Sequence, residues 1–279
     1  MIWIHGGGFE LGYGHYDDVT EFTMTGNVIV VTLNYRLGVF GFFAMDHPAA
    51  RGNFGLWDQK LAIQWVHDNI EAFGGNPGSI TIFGESAGAM STSLQSLISS
   101  NKGLFQRVIC QSGVHSKILM RKPEAIREYA KSLANRTGCS IDDEYSFVDC
   151  LRNLSVHDLL RYTDFYATAK LDKVHYMSDN YPVVDGELFP ENPILSLEDP
   201  TSAVASFFRS LDMIAGTTSN EGSILVVTLF PQIQERFNFS LNEGIPHRVA
   251  CEEVIAEYVN KYLKQNEEVK RKLCDFYFV

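Results

Sequence analysis

Apolar and polar positions follow two rhythms along the first half of the chain: short unbroken apolar runs, and longer stretches with apolar residues three and four apart. Ile2–Ile4 is a short apolar run that ends at glycines. Val28–Leu33 is continuous and rich in β-branched residues, which predicts a strand buried on both faces. From Trp57 to Phe73 the positions Leu61, Ile63, Trp65, Val66 and Ile70 repeat as on a helix, and Gly74-Gly75-Asn76-Pro77-Gly78 stops it. Ser79–Phe83 then reads as a strand, residues from about Ser86 to Leu97 as a helix, and Arg107–Gln111 as a further strand. Strand and helix in alternation predict a mostly parallel sheet with helices on both faces, the α/β class.

The second half changes character. Pro123 to Thr137 predicts a helix ending at Gly138, and Cys139 to about Tyr166 predicts short helices. Residues 167–205 carry Pro182, Pro190, Pro193 and Pro200 and read as irregular. Leu211–Gly216 returns to a strand, and 249–279 reads as helical and charged. No repeat or linker interrupts the 279 residues, so the expectation is one sheet-based domain over 1–279 with a helical insertion at roughly 120–205.

Composition narrows the class without naming a function. Hydrophobic residues at 45% and charged residues at 20% are globular values. Thirty-four acidic against 23 basic residues give a formal charge of −11, which argues against nucleic acid as a partner. No apolar run reaches the length of a membrane span. No charged segment followed by an apolar one marks a signal peptide at the start; Met1–Ile4 instead reads as a strand entering a functional loop, so the natural protein is expected to begin earlier. Among five cysteines, Cys139 and Cys150 lie in a polar stretch as a candidate disulfide loop. Acceptor sequons begin at Asn135, Asn153 and Asn238, two of them flanking that pair, and secretory or extracellular handling is expected.

The chemistry concentrates in two glycine-rich stretches. Gly84-Glu85-Ser86-Ala87-Gly88 joins a predicted strand to a predicted helix, the context in which a tight turn lifts a serine hydroxyl out at the carboxyl end of a sheet. The helix N-terminus beneath it favours developing negative charge. His5-Gly6-Gly7-Gly8-Phe9 follows the first strand, and glycines let backbone N–H groups approach an oxyanion closely.

Five stretches together resemble the type-B carboxylesterase and cholinesterase-like family of α/β-hydrolases: Trp3–Phe9, Asn34–Phe42, Gly52–Gln59, Phe73–Pro77 and Thr81–Gly88. They cover residues 1–115 densely and the rest loosely, and Ala89 stands where many members carry another glycine. The resemblance implies an α/β-hydrolase fold lacking its N-terminal strands and C-terminal third. It implies Ser86 as nucleophile, with an oxyanion hole from Gly7, Gly8 and Ala87, Glu85 as a gorge-lining carboxylate and Ser112 as a hydrogen-bonder behind the site. Arg36 and Asp58 match positions of a buried ion pair, whose loss is expected to cost about 3–5 kcal/mol. Cys139 and Cys150 match a family disulfide loop; Cys274 matches nothing.

A triad acid should follow the serine. Thr217-Thr218-Ser219-Asn220-Glu221-Gly222 leaves the strand Leu211–Gly216, and the family's glutamate falls on Glu221. The base is expected beyond Val279 in a loop of the kind G-x-x-H-G, since His247 follows Glu221 too closely and the other histidines precede it. The implied function is a serine hydrolase cleaving small-molecule carboxylic esters through an acyl-enzyme, with no cofactor and no metal. The alternatives are a non-catalytic cholinesterase-like adhesion or binding protein, or a fragment without useful turnover of its own. Ester identity, oligomeric state and membrane anchoring are not encoded in these residues.

Overall fold

The computed structural model describes residues 1–15, 18–115, 120–163, 180–219, 221, 236–238, 245–256 and 266–277. They fall into two compact units, Met1–Gly216 and Thr217–Val279, each described by itself.

In the first unit five strands form one parallel sheet: β1 (Ile2–Ile4), β2 (Val31–Thr32), β3 (Thr81–Glu85), β4 (Arg107–Gln111) and β5 (Asp212–Gly216), in the order β2-β1-β3-β4-β5. All four pairings are parallel, with Ile4 beside Gly84, Glu85 beside Gln111, and Gln111 beside Gly216. That register brings the carboxyl ends of β1, β3, β4 and β5 to one edge, where an open α/β sheet carries its site. Between the strands lie α1 (Thr20–Gly26), α2 (Gly38–Phe42), α3 (Phe54–Asn69) and α4 (Ala87–Gln95).

The predicted strand over Val28–Leu33 contracts to Val31–Thr32. Val31 N–H donates to Met1 O at 2.9 Å, and the Met1 amino group donates to Ile29 O at 2.7 Å. α1 and α2 carry no periodic signal in the sequence. α3 forms as predicted, but its apolar residues divide: Leu56, Ile63 and Val66 are buried, while Leu61 and Trp65 stand 71% and 53% exposed. A helix apolar on both faces reads as a buried one, so the periodicity there overstated the inward stripe.

The main core joins Ile2, Ile4, Ile82 and Val108 of the sheet to Leu56 and Ile63 of α3 and Leu94 of α4. Between β4 and β5 the chain adds α5 (Pro123–Thr137), α6 (Glu144–Asn153), α7 (Val156–Thr163), α8 (Pro193–Glu198) and α9 (Ala203–Phe208). α5 begins on Pro123, whose missing N–H is not needed in the first turn. It buries Ile126, Tyr129, Ala130, Leu133 and Ala134, and ends where Gly138 at φ 75° donates to Ala134 O at 2.9 Å. Tyr129 and Leu133 join Phe43, Phe147 and Leu151 in a second core.

Cys139 and Cys150 form a disulfide with Cα atoms 5.9 Å apart, tying the end of α5 to α6 beside that second core. Closing a loop this short restricts the unfolded chain by about 2–4 kcal/mol. Cys139→Ser should lower stability by about that amount in thermal unfolding, and adding reductant to the parent should reproduce the loss.

In the second unit a short helix, α10 (His247–Val249), runs into a π-helical turn over Ala250–Ile255 that packs against α11 (Glu267–Tyr277).

Candidate active site

The turn from β3 to α4 is built on steric necessity. Ser86 adopts φ 54°, ψ −123°, a conformation that L-residues other than glycine rarely hold. Its N–H donates to Gln111 O at 2.8 Å, and its carbonyl accepts from Met90 N–H at 2.9 Å. The flanking glycines have no room for a side chain. A Cβ on Gly84 would lie 2.6 Å from Ile4 O, and one on Gly88 would lie 2.1 Å from the same oxygen. The sequence therefore needs glycine two residues before and two after the serine so that α4 can start against the end of β1.

The second glycine stretch folds onto this turn. A Cβ on Gly6 would lie 2.7 Å from Glu85 O and 3.2 Å from the Ser86 Cβ, so the loop and the turn are in contact. Gly7 holds φ 108° and Gly8 φ 66°, and a Cβ on Gly7 would sit 2.0 Å from Leu11 O. Glu10 and Leu11 N–H both donate to Gly7 O, at 3.1 and 3.0 Å. Phe9 anchors the far end: it is fully buried, its ring meets Phe42 at 4.8 Å and Tyr181 at 5.0 Å, and its carbonyl accepts from Gly38 N–H at 2.7 Å. Ala87 is the first residue of α4, where a backbone N–H has no acceptor within the helix.

His5 is structural. Its Nδ1 lies 2.8 Å from Gly6 O, its ring stacks on Tyr35 at 4.4 Å, and the Tyr35 hydroxyl donates to His5 O at 2.8 Å. Burial lowers the His5 pKa, against a smaller opposing contribution from the Gly6 hydrogen bond, and burial raises that of Tyr35. Both are therefore neutral near pH 7, and neither is placed to move a proton.

Glu85 is the exposed last residue of β3, with its carboxylate over Gly6. Ser112 follows β4 at φ 57° and donates its N–H to Gly216 O at 2.8 Å. Asn135 and Asn153 are exposed on α5 and α6, and Asn238 is exposed in the second unit. Glu221 also belongs to the second unit, where its Oε1 accepts from Thr218 N–H at 2.9 Å. Among the described residues no group of three or more His, Cys, Asp or Glu could hold a metal ion, and no helix is long and apolar enough to cross a membrane.

Arg36 and Asp58 pair, but not as a buried ion pair. Asp58 accepts from Arg36 N–H at 3.0 Å, Nε at 2.8 Å and Nη2 at 2.8 Å, while the two side chains remain 52% and 27% exposed. Water can solvate whichever partner survives a substitution, so the large penalty of a stranded buried charge does not apply. Asp58→Asn should cost about 1–2 kcal/mol in urea unfolding, in place of the 3–5 expected for a buried pair.

Residues 1–278 match the carboxylesterase family. The chain belongs to that family. This carboxylesterase-family chain is 40% identical to bovine bile salt-activated lipase over 246 residues, 84% of the chain and 39% of the lipase. It is 36% identical to mouse cholinesterase over 291 residues, 99% of the chain and 47% of that protein. Mouse neuroligin-3 is 37% identical over 222 residues, 80% of the chain and 25% of the relative. The chain spans less than half the length of each. Its parallel sheet with flanking helices is the α/β-hydrolase fold of the family.

Sequence patterns gave no sign of three contacts around the carboxylesterase-family elbow. Gly113 packs so closely that a Cβ would lie 2.5 Å from Ser86 O. Tyr35 supports the loop through His5 O. Ser93 of α4 hydrogen-bonds His115. Each joins residues distant in sequence whose types follow no spacing rule.

Proposed function

We propose that the protein carrying these residues is a serine hydrolase of carboxylic esters. Ser86 Oγ attacks the ester carbonyl as a histidine takes its proton. The tetrahedral oxyanion is held by the N–H groups of Gly7, Gly8 and Ala87. The same histidine protonates the departing alcohol, water then releases the acid from the acyl-enzyme, and Glu221 orients the imidazole and stabilises its charged form. The base is a histidine, which in the chain order of these hydrolases follows the acid. Among the described residues His5 is engaged with Gly6 O, His47 with Ala49 N–H, His67 with Asp68, His115 with Ser93 and His247 with Cys251 Sγ.

The observation that carries this reading is the strained serine itself. A non-glycine residue at φ 54° persists only where its surroundings demand it, and such strain gathers at functional sites. Here Gly6 packs against it, followed by Gly7 and Gly8 at positive φ. An open cavity of about 860 Å³ lies past this loop; its lining includes apolar Leu11, Leu37 and Phe40 beside charged Glu10 and Arg161, and neither Ser86 nor Gly7 or Gly8. The disulfide and the exposed sequons at Asn135 and Asn153 support a secretory or extracellular setting with N-linked glycans at those sites and Asn238. No cofactor, metal or nucleic acid enters the scheme.

The intact protein should hydrolyse p-nitrophenyl butyrate with an initial burst of p-nitrophenol stoichiometric with enzyme. Absence of turnover across short-chain, long-chain and choline esters would favour the second reading, a non-catalytic binding member of the family.

A further inference from the structure

Ser93 and His115 lie behind the elbow in an arrangement that the catalytic scheme does not use. Ser93 is fully buried on α4, about two turns along the helix from Ser86. His115 follows the loop that leaves β4. Its backbone N–H donates to Ser93 Oγ at 3.1 Å, and Ser93 Oγ in turn hydrogen-bonds Nδ1 of the same histidine. With one proton and two lone pairs, Oγ can accept the backbone proton and still bond Nδ1, as donor or as acceptor according to the ring tautomer. Burial lowers the His115 pKa, in keeping with a neutral ring. The ring stands edge-on to Phe208 at 5.9 Å, and the buried Cys110 thiol shares the Ser93 hydroxyl.

These bonds close a ring of contacts around the nucleophile. Ser86 leans on the strand and loop after it: its N–H on Gln111 O at 2.8 Å, its carbonyl against Gly113. Ser112, between them, is itself at φ 57°. Both of these supports run directly into His115, and His115 is tied back to the helix that Ser86 starts. A strained conformation persists only when surrounding structure fixes it from several sides, and a two-bond clamp at the open end of this loop supplies one of those sides.

We propose that His115, held by Ser93, is a positioning residue for Ser86. The pair locks residues 111–115 against α4 so that the strained serine keeps the setting needed for attack. The inference rests on the reading of Ser86 as nucleophile, and it predicts an effect on the chemical step rather than on substrate binding.

The test uses the intact protein and a chromogenic ester, with thermal unfolding and fluorophosphonate active-site titration so that rates are per competent molecule. Misplacing a reacting group by about 1 Å can cost up to about a hundredfold in rate. His115→Leu should therefore lower kcat about tenfold with KM within about twofold, and Ser93→Ala should do the same. The double variant should be no worse than either single one, because both remove one clamp. His115→Gln, whose amide oxygen can accept from Ser93, should recover most of kcat. The proposal is overturned if kcat per titrated site is unchanged, if the two losses multiply, or if His115→Gln is as impaired as His115→Leu. Should His115→Leu fail to fold, the comparison of His115→Gln with Ser93→Ala decides by the same criteria. Activity that survives Ser86→Ala would instead remove the reading on which the inference rests.

Discussion

Ser86→Ala in the intact protein should lower kcat for a chromogenic ester by about 10⁶-fold and leave the fold in place. The loss is large because the nucleophile and its general base act as one unit, and without the hydroxyl no acyl-enzyme forms. What remains is the contribution of oxyanion stabilisation and binding, about 10³–10⁴ over the uncatalysed reaction. The backbone supplies an internal check. Alanine inherits the strained φ of 54°, whereas glycine adopts it freely. Ser86→Gly should therefore be inactive yet more stable than Ser86→Ala by about 1 kcal/mol. A Ser86→Ala protein that keeps a tenth of parental kcat would contradict the assignment.

The second large effect is on folding. Gly88→Ala would place a Cβ 2.1 Å from Ile4 O and 2.8 Å from the carbonyl carbon and oxygen of His5. All three are backbone atoms at the end of β1 and the start of the oxyanion loop, so no side chain can rotate away. Relief requires α4 to shift off the sheet, and the expected loss is about 3–5 kcal/mol in denaturant unfolding. Gly216→Ala is the matched control, since nothing lies within 4 Å of its added Cβ and its φ is not positive. It should change stability by less than about 1 kcal/mol. Equal stability of the two variants would show that the close packing of α4 on β1 is not required.

Much of this site was legible in the sequence because its constraints are local. A glycine two residues either side of a serine, between an apolar run and a helical period, encodes a turn that only one backbone geometry satisfies. The glycine run after Ile2–Ile4 is legible for the same reason. The limits of α5 were readable too, with Pro123 at its first residue and Gly138 just past its last. What escaped depends on long-range packing. The strand expected over Val28–Leu33 forms only at Val31–Thr32, and which residues pair depends on β1, a neighbour distant in the chain. The solvation of Arg36 and Asp58 and the clamp between Ser93 and His115 likewise depend on neighbours distant in the chain. Residue types alone fix neither the burial nor the partner there.

Covalent labelling distinguishes a nucleophilic Ser86 from an inert one without reference to any particular ester. Treating the intact protein with a fluorophosphonate and mapping the adduct by peptide mass spectrometry should place one phosphonyl group per molecule on Ser86, with labelling lost in Ser86→Ala. An unlabelled Ser86 in folded protein, or an adduct on another residue that persists in Ser86→Ala, would contradict the account.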